Sequence, residues 1–142
     1  MHASNETGRK PGIVVSDLDY ERLNALASAT ESRAPEVASE LFEELARARI
    51  VPAGSVPPDV VRMGSTVEYR SDDGKHRRIT LVYPKDADIA LDRVSILTPI
   101  GAALIGLSPG QGMEWTTRDG RRYRLTVVAV APPSAELIAL CM

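Results

Sequence analysis

The chain has 142 residues, of which 44% are hydrophobic and 25% charged, and its formal net charge is −2. This length favours one domain or a small domain with an appendage, and the small net charge argues against broad electrostatic binding of nucleic acid. One tryptophan and one phenylalanine leave the core to aliphatic side chains. Since a lone cysteine excludes an intramolecular disulfide and fits a reducing compartment, and no apolar run is long enough to span a membrane, we expect a cytoplasmic protein.

Residues 1–12 form a polar leader without the apolar core of a signal peptide. Ile13-Val14-Val15 follows as a short strand or a docking segment. Ser16 is a candidate helix N-cap, with Asp17 and Asp19 complementing the positive end of the helix dipole. Apolar residues then recur at helical spacing, which predicts a first helix; they are Tyr20, Leu23, Leu26, Ala27 and Thr30.

A second helix is predicted to begin at Pro35 or Glu36. Its apolar stripe consists of Val37, Leu41, Leu45 and Ala48, and its other face shows Glu36, Glu40, Glu43, Glu44 and Arg47. Two short amphipathic helices joined by a brief connection predict an antiparallel hairpin over 13–50. Such a hairpin is marginally stable alone, so each apolar stripe has to pack against the other helix and against the following domain. Residues 51–58 contain three prolines and a glycine and are interpreted as a linker.

From residue 59 onward the pattern predicts strands. A first strand is expected over Val60–Met63, a hairpin over Thr66–Arg70 and Arg78–Tyr83, and a further strand over Arg93–Leu97. Met113–Thr117 and Tyr123–Ala131 flank an Asp-Gly turn and predict another hairpin, with Tyr123, Leu125, Val127 and Ala129 on one face. The expected fold class is α+β, a curved and mostly antiparallel sheet wrapped on one short helix. The apolar tail, residues 134–142, either packs back on the sheet or contacts a partner.

The short helix is predicted at the end of the strand that carries Val94 and Ile96. Thr98 is expected to accept hydrogen bonds from the first-turn amides, and Pro99 suits the first helical position, where its missing N–H costs nothing. Gly106 or Gly110 is expected to close this element.

The residues offer little catalytic chemistry. No phosphate-binding glycine motif is present, the serines have no histidine partner, and His76 is read as a solvated turn residue. Cys141 has no neighbouring histidine that would activate it. Glu31 and Glu36 flank the hairpin tip and are of a type that can hold Mg²⁺, although glutamate at a helix start also complements the dipole. The acids of the 84–92 loop fit no calcium-loop spacing and are expected to be solvated. We expect neither metal nor cofactor.

Basic residues gather at two hairpin ends. They form either a patch for nucleic acid or an acidic protein surface, or a solvated edge that discourages strand pairing between molecules. Tyr123 is the one aromatic residue among them, and basic and aromatic residues do not alternate over a longer stretch, so a stacking platform for bases is not supported. The two groups are Lys75, Arg77 and Arg78, and Arg118, Arg121, Arg122 and Arg124.

Several segments, in order, resemble the Rnk-type regulators of nucleoside diphosphate kinase within the bacterial Gre-factor family. They lie between about Ile13 and Ala131 and are Ile13–Asp19, Pro58–Ser65, Leu81–Pro84 and Ser95–Leu107. The resemblance implies an N-terminal coiled-coil hairpin and an FKBP-like C-terminal domain, here 59–133, that grips RNA polymerase at the rim of its secondary channel. It maps the polymerase contact to Ile96, Leu97, Thr98 and Pro99, and the hairpin tip to Glu31, Arg33 and Glu36.

The chain departs from the Gre pattern in two ways. Helices of a dozen residues reach only about 20 Å, which is too short for the polymerase active centre, so Glu31 and Glu36 are not assigned the RNA-cleavage role of Gre factors. Leu97 stands where some Gre factors place an acid. We therefore expect a non-catalytic modulator of polymerase that touches DNA or RNA at most weakly and within that complex.

Two alternatives remain open. An FKBP-like prolyl isomerase or chaperone is disfavoured because such a pocket is lined by aromatic residues, which are scarce here. A regulator of nucleotide metabolism would act indirectly, because the sequence contains no nucleotide-binding motif.

Overall fold

The computed structural model describes residues 12–117 and 119–133. The leader up to Pro11, Arg118 and the tail 134–142 with Cys141 lie outside the described residues. No helix in the described ranges combines the length and the apolarity that crossing a bilayer requires.

The N-terminal part is a helical hairpin. It consists of β1 (Ile13–Ser16), α1 (Asp17–Thr30), α2 (Pro35–Ala46) and β2 (Ala48–Val51). The predicted N-cap is confirmed, because the Ser16 hydroxyl accepts a hydrogen bond from the Asp19 amide at 3.0 Å. Pro35 begins α2 without a side-chain cap before it. The two apolar stripes face each other and the rest of the molecule, with Leu23, Ala27, Leu41 and Leu45 buried.

The end of the hairpin differs from the prediction. We expected Ala48 on the helical stripe and a linker from Val51, whereas α2 ends at Ala46 and Ala48–Val51 is a strand. This strand runs parallel to β1, with Ile13 opposite Ala48 and Ser16 opposite Val51. Because β1 offers an unpaired edge beside the helix exit, the backbone gains a ladder there that local propensity does not signal. The two ends of the hairpin are thus hydrogen-bonded to each other.

The C-terminal part is a five-stranded sheet. Its strands are β3 (Thr66–Ser71), β4 (His76–Val82), β5 (Arg93–Ser95), β6 (Gly112–Thr116) and β7 (Arg122–Ala131), and one helix, α3 (Pro99–Leu104), is inserted between β5 and β6. The spatial order is β5-β4-β3-β7-β6. All neighbours are antiparallel except β4 and β5, so the sheet is mixed. The α+β class is confirmed, and the sheet is not antiparallel throughout.

Residues 60–63 do not form the expected strand. Val60, Val61 and Met63 are buried, but the Val61 amide donates to the Leu107 carbonyl at 2.9 Å, and the Val61 carbonyl accepts from the Gly106 amide at 2.8 Å. The segment therefore packs its apolar side chains beside the end of α3 instead of joining the sheet. The strand predicted over Arg93–Leu97 is likewise shorter and ends at Ser95.

A β-bulge changes which side chains of β7 share a face. Tyr69 of β3 lies opposite Val127, whereas its neighbour Glu68 lies opposite Ala129, so Val128 is an extra residue. Leu125 and Val127 are buried as expected, but Ala129 is turned to the other face and is exposed. Beyond the bulge Val130 takes the inward position and packs against the core.

One hydrophobic cluster joins the hairpin to the sheet. It includes Leu23 and Leu41 from the helices, Val67 and Leu81 from the sheet, and Leu104 from α3, all at most 1% exposed. Since each short hairpin helix buries its stripe here, the hairpin derives its stability from this shared core.

Candidate functional site

The predicted contact residues lie at the junction between β5 and α3. The Thr98 hydroxyl donates to the Ser95 carbonyl at 2.7 Å and accepts from the Gly101 amide at 3.1 Å. Pro99 follows as the first helical residue. The predicted capping is therefore confirmed, and two hydrogen bonds of one hydroxyl fix the backbone at this turn. Helix α3 ends at Leu104, followed by Gly106 in the left-handed conformation at φ +81°.

Gly101 permits the tight approach of α3 to the strand before it. A Cβ on this residue would collide with the Ser95 carbonyl oxygen and lie 3.0 Å from the Ile96 Cα. The obstructing atoms belong to the backbone, so they cannot move aside as a side chain would. The start of α3 is thus held against β5 at a distance that only glycine allows.

The four residues assigned to the polymerase contact differ in exposure. Ile96 is 0% exposed and belongs to the core, and its amide donates to the Val82 carbonyl at 2.9 Å. Leu97, Thr98 and Pro99 are each partly exposed. Ile96 can therefore position its neighbours, whereas a partner can touch Leu97, Thr98 and Pro99 directly.

Pro99 lines a groove of about 320 Å³ between α2, α3 and β6. Its apolar floor includes Ala102, Ala103 and Met113, and Trp115 closes it on the sheet side. Four of its lining residues are glutamates and one is an arginine; they are Glu40, Glu43, Glu44, Glu114 and Arg122. Such a groove suits an apolar side chain from a partner whose surrounding surface is basic.

Glu44 is the buried member of this rim, at 3% exposed. Its carboxylate accepts from the Arg47 guanidinium at 2.5 Å, and Arg47 also reaches the Met113 sulfur at 3.2 Å. We expected both residues on the solvent face of α2, and for Glu44 this was wrong. The helix turns Glu44 towards the groove that β6 also lines, and Arg47, one turn later, compensates the buried charge.

The hairpin tip lies at the end of the two helices that is opposite the paired strands β1 and β2. Glu31, Arg33 and Glu36 are exposed there, around a turn in which the Thr30 carbonyl accepts from the amides of Arg33 at 3.0 Å and Ala34 at 2.9 Å. With 14 residues in α1 and 12 in α2, the helices extend about 20 Å at 1.5 Å per residue. In the described part of the chain, no group of three or more His, Cys, Asp or Glu side chains is arranged to hold a metal ion.

Asp19 connects the start of α1 to the segment before the sheet. Its carboxylate accepts from the Met63 amide at 3.3 Å. Burial raises the pKa of this carboxyl, against the opposing effects of that hydrogen bond and of Arg22 and Arg62. The hairpin base is thus joined to the C-terminal part by a partly buried polar contact as well as by apolar packing.

Sequence reasoning identified the junction and missed the groove. The groove requires α2 to lie beside β6, which are separated by some 65 residues in the chain, and no local pattern indicates that pairing. The available signal was Trp115, the one tryptophan of the chain, which lies in the edge strand β6. A half-buried tryptophan at a sheet edge is a frequent component of an interface.

Comparisons with known proteins cover the same two parts. A family model described as "Transcription elongation factor, GreA/GreB, C-term" matches residues 56–132, and one described as "Rnk N-terminus" matches residues 11–51. The "Regulator of nucleoside diphosphate kinase" of Escherichia coli K12 is 36% identical over 120 residues, which cover 84% of this chain and 88% of that protein. A "Transcription elongation factor GreA" of Azorhizobium caulinodans is 30% identical over 115 residues, covering 80% and 71%.

A solved structure agrees with these matches. The structure titled "Prokaryotic transcription elongation factor GreA/GreB from Nitrosomonas europaea" superposes with a TM-score of 0.68 at 41% identity, covering 84% of this chain and 98% of that one. The helical N-terminal region and the mixed sheet are therefore an arrangement seen in that protein. The chain belongs to the GreA/GreB transcription elongation factor family, with an N-terminal part of the Rnk type.

Proposed function

We propose that this protein is a non-catalytic transcription regulator that binds bacterial RNA polymerase at the rim of its secondary channel. The observation that carries the proposal is the partly exposed junction at Leu97, Thr98 and Pro99. Two hydrogen bonds of Thr98 hold this junction, and Pro99 lines the groove between α2, α3 and β6. Family membership supports polymerase as the partner, since several relatives are named transcription elongation factors. The protein would then act in the cytoplasm.

The groove supplies the specific contact in this proposal. Pro99 and the alanines of α3 offer apolar surface, and the glutamates around them favour a partner segment with basic residues. Because the Thr98 hydrogen bonds hold Pro99 before binding, little conformational entropy is lost on association. We assign the C-terminal part, residues 59–133, as the binding domain and the 13–50 hairpin as its appendage, with 51–58 as a linker. The likeness of the binding domain to the FKBP fold stays a prediction.

The hairpin defines how the protein would act once bound. A reach of about 20 Å is short for an active centre inside a channel, so Glu31 and Glu36 have no cleavage role in this proposal. The protein would instead occupy the rim and compete there with Gre factors. An effect on nucleoside diphosphate kinase, which the name of one relative mentions, would be indirect.

Competition binding to bacterial core RNA polymerase tests this proposal. A labelled GreA factor is bound to the polymerase and displaced by the unlabelled protein. We expect displacement by the wild type and at least tenfold weaker displacement by Leu97→Ala/Pro99→Ala. Leu91→Ala/Pro109→Ala removes the same two residue types from exposed positions outside the groove and should compete like the wild type.

Three outcomes would contradict the proposal. The first is that the wild type neither binds core polymerase nor displaces GreA. The second is that both double variants lose the same affinity, which would mean that the junction is not the contact. The third is that Glu31→Gln/Glu36→Gln abolishes binding, which would place the grip at the hairpin tip.

A further inference from the structure

The sheet has an outer face that carries arginines from three adjacent strands. Alternation along the strands turns Val67, Tyr69, Ile79 and Leu125 inward and turns Arg70, Arg78 and Arg124 outward. These three arginines lie on β3, β4 and β7, which are neighbours in the sheet. Strand spacing separates the outer two by about 10 Å across the sheet. The register also offsets them along β3, because Arg78 lies opposite Glu68 whereas Arg124 is level with the residue after Ser71, which adds about 13 Å along the strands. All three side chains are exposed.

Two of these arginines border one depression. Arg70 and Arg124 line a hollow of about 250 Å³ with Ser71, Asp72 and Thr126. Gly112 of β6 contributes to its shape, because a Cβ at that position would lie 3.0 Å from Nη2 of Arg124. Because Gly112 has no side chain, the Arg124 guanidinium can extend over this position of β6.

The nearby carboxylates pair with other side chains and not with these three arginines. Glu68 is paired with His76 at 2.6 Å, and Glu114 lies 3.4 Å from Arg122. Within residues 12–117 and 119–133, no ion pair involves Arg70, Arg78 or Arg124. Asp72 is the single acid that lines the hollow. Its backbone amide donates a hydrogen bond to the Arg124 carbonyl at 2.9 Å.

The chemistry around the arginines favours a phosphate backbone over a protein. Outward hydroxyls lie nearby, with Thr66 and Thr80 3.0 Å apart and Thr126 in the hollow. The other outward neighbours are Glu68, opposite Arg78, and His76, opposite Arg70, and these two side chains pair with each other. Guanidinium and hydroxyl groups are the usual side-chain contacts to nucleic acid phosphates. A protein interface requires an apolar or aromatic centre, and the rings of Trp115 and Tyr123 pack together on the inner face, with centroids 5.6 Å apart.

We propose that the outer sheet face with Arg70, Arg78 and Arg124 binds the sugar-phosphate backbone of single-stranded RNA without regard to sequence. This goes beyond the polymerase contact, because the groove beside Pro99 is formed by the helices and the inner edge of the sheet. Three arginines neutralise about three phosphates, so affinity should fall with salt with a log–log slope of about −2 for a single strand. The binding needs no polymerase.

Fluorescence anisotropy of the full chain with a labelled mixed-sequence RNA of about 12 nucleotides tests this inference, starting at low salt. We expect saturable binding with that slope. Arg70→Gln/Arg124→Gln should weaken binding at least tenfold and bring the slope about 1.4 units closer to zero. Arg49→Gln/Lys85→Gln makes the same charge change at exposed positions elsewhere and should bind like the wild type.

Several results would overturn the inference. Absence of RNA binding by the wild type at low salt is one, and equal loss in the two double variants is another, since it would show only a dependence on net charge. If a labelled polyglutamate peptide binds as tightly as the RNA and depends on Arg70 and Arg124, the face is a docking surface for an acidic protein instead. Circular dichroism of both variants verifies that these exposed substitutions leave the fold intact.

Discussion

Gly106 lies directly against Ile13, so that a Cβ on the glycine would be 2.5 Å from the Ile13 Cβ. The contact is reinforced by the backbone, because the Gly106 carbonyl accepts from the Val14 amide at 3.2 Å. Its own amide donates to the Val61 carbonyl at 2.8 Å. Gly106, which follows α3, is thus hydrogen-bonded both to the first strand of the hairpin and to the segment before the sheet.

Replacing Gly106 with alanine should destabilise the protein by about 2–4 kcal/mol, since both a positive φ and a collision with Ile13 oppose the side chain. Gly74→Ala is the matched control. Gly74 also has a positive φ, of +89°, but no atom lies within 4 Å of its Cβ position, so only backbone strain of about 1 kcal/mol is expected. Urea unfolding measures both. Equal losses would mean that the contact with Ile13 is not tight.

Thr98→Val should cost about 1 kcal/mol of stability, because the isosteric side chain cannot accept from the Gly101 amide or donate to the Ser95 carbonyl. Thr98→Ser retains the hydroxyl and should remain close to the wild type. The measurement is the free energy of unfolding of each variant. A loss in Thr98→Ser as large as in Thr98→Val would show that the methyl group, not the cap, matters here.

Asp19 should make stability depend on pH. Since its pKa is raised in the folded state, its stabilising contribution is complete below the ordinary value of 3.8 and is lost as pH rises through the raised pKa. The wild type should therefore lose stability relative to Asp19→Asn as the pH rises from 3.8 towards neutral. Urea unfolding across this range measures the difference between the two proteins.

Asp17→Asn is the control for this pH experiment. It removes one negative charge from the same helix turn at an exposed position, without the Met63 contact. If the wild type shows the same pH trend relative to both asparagine variants, the effect comes from charge at the helix start and not from the burial of Asp19.

Glu44→Ala should destabilise the protein by about 2–4 kcal/mol, because Arg47 then loses its buried counter-charge. Glu43→Ala, at the adjacent exposed position, should cost less than about 1 kcal/mol. The double variant Glu44→Ala/Arg47→Ala should lose less than the sum of its single variants. Additive losses in this cycle would contradict the pairing.

The sequence was sufficient where the signal is local. Ser16 and Thr98 are helix caps because their hydroxyls meet amides three residues later, and the Asp-Asp-Gly turn separates two strands of strong β propensity. Both hairpin helices and the junction with α3 were therefore predictable. The roles of Leu97, Thr98, Pro99, Glu31, Arg33 and Glu36 in binding stay predictions.

What the sequence did not indicate depends on long-range packing. Ala48–Val51 becomes a strand because β1 lies beside it, and Glu44 is buried beside Arg47, which reaches Met113 of β6. Val60 and Val61 have strand-like composition but bond to the end of α3. Ala129 changes face through the bulge opposite Glu68. In each case the deciding neighbour is distant in the chain and invisible to periodicity.

The pairing of β1 with β2 has a consequence for how such proteins can diversify. The two ends of the hairpin are hydrogen-bonded to each other, and β1 is also bonded to Gly106. The turn at Thr30–Ala34 lies at the opposite end of the two helices. Whole helical turns inserted at matching positions in α1 and α2 would lengthen the hairpin without altering its base or the sheet. The distance between the sheet and the hairpin tip can therefore differ between members of the family while the base of the hairpin and the sheet stay unchanged.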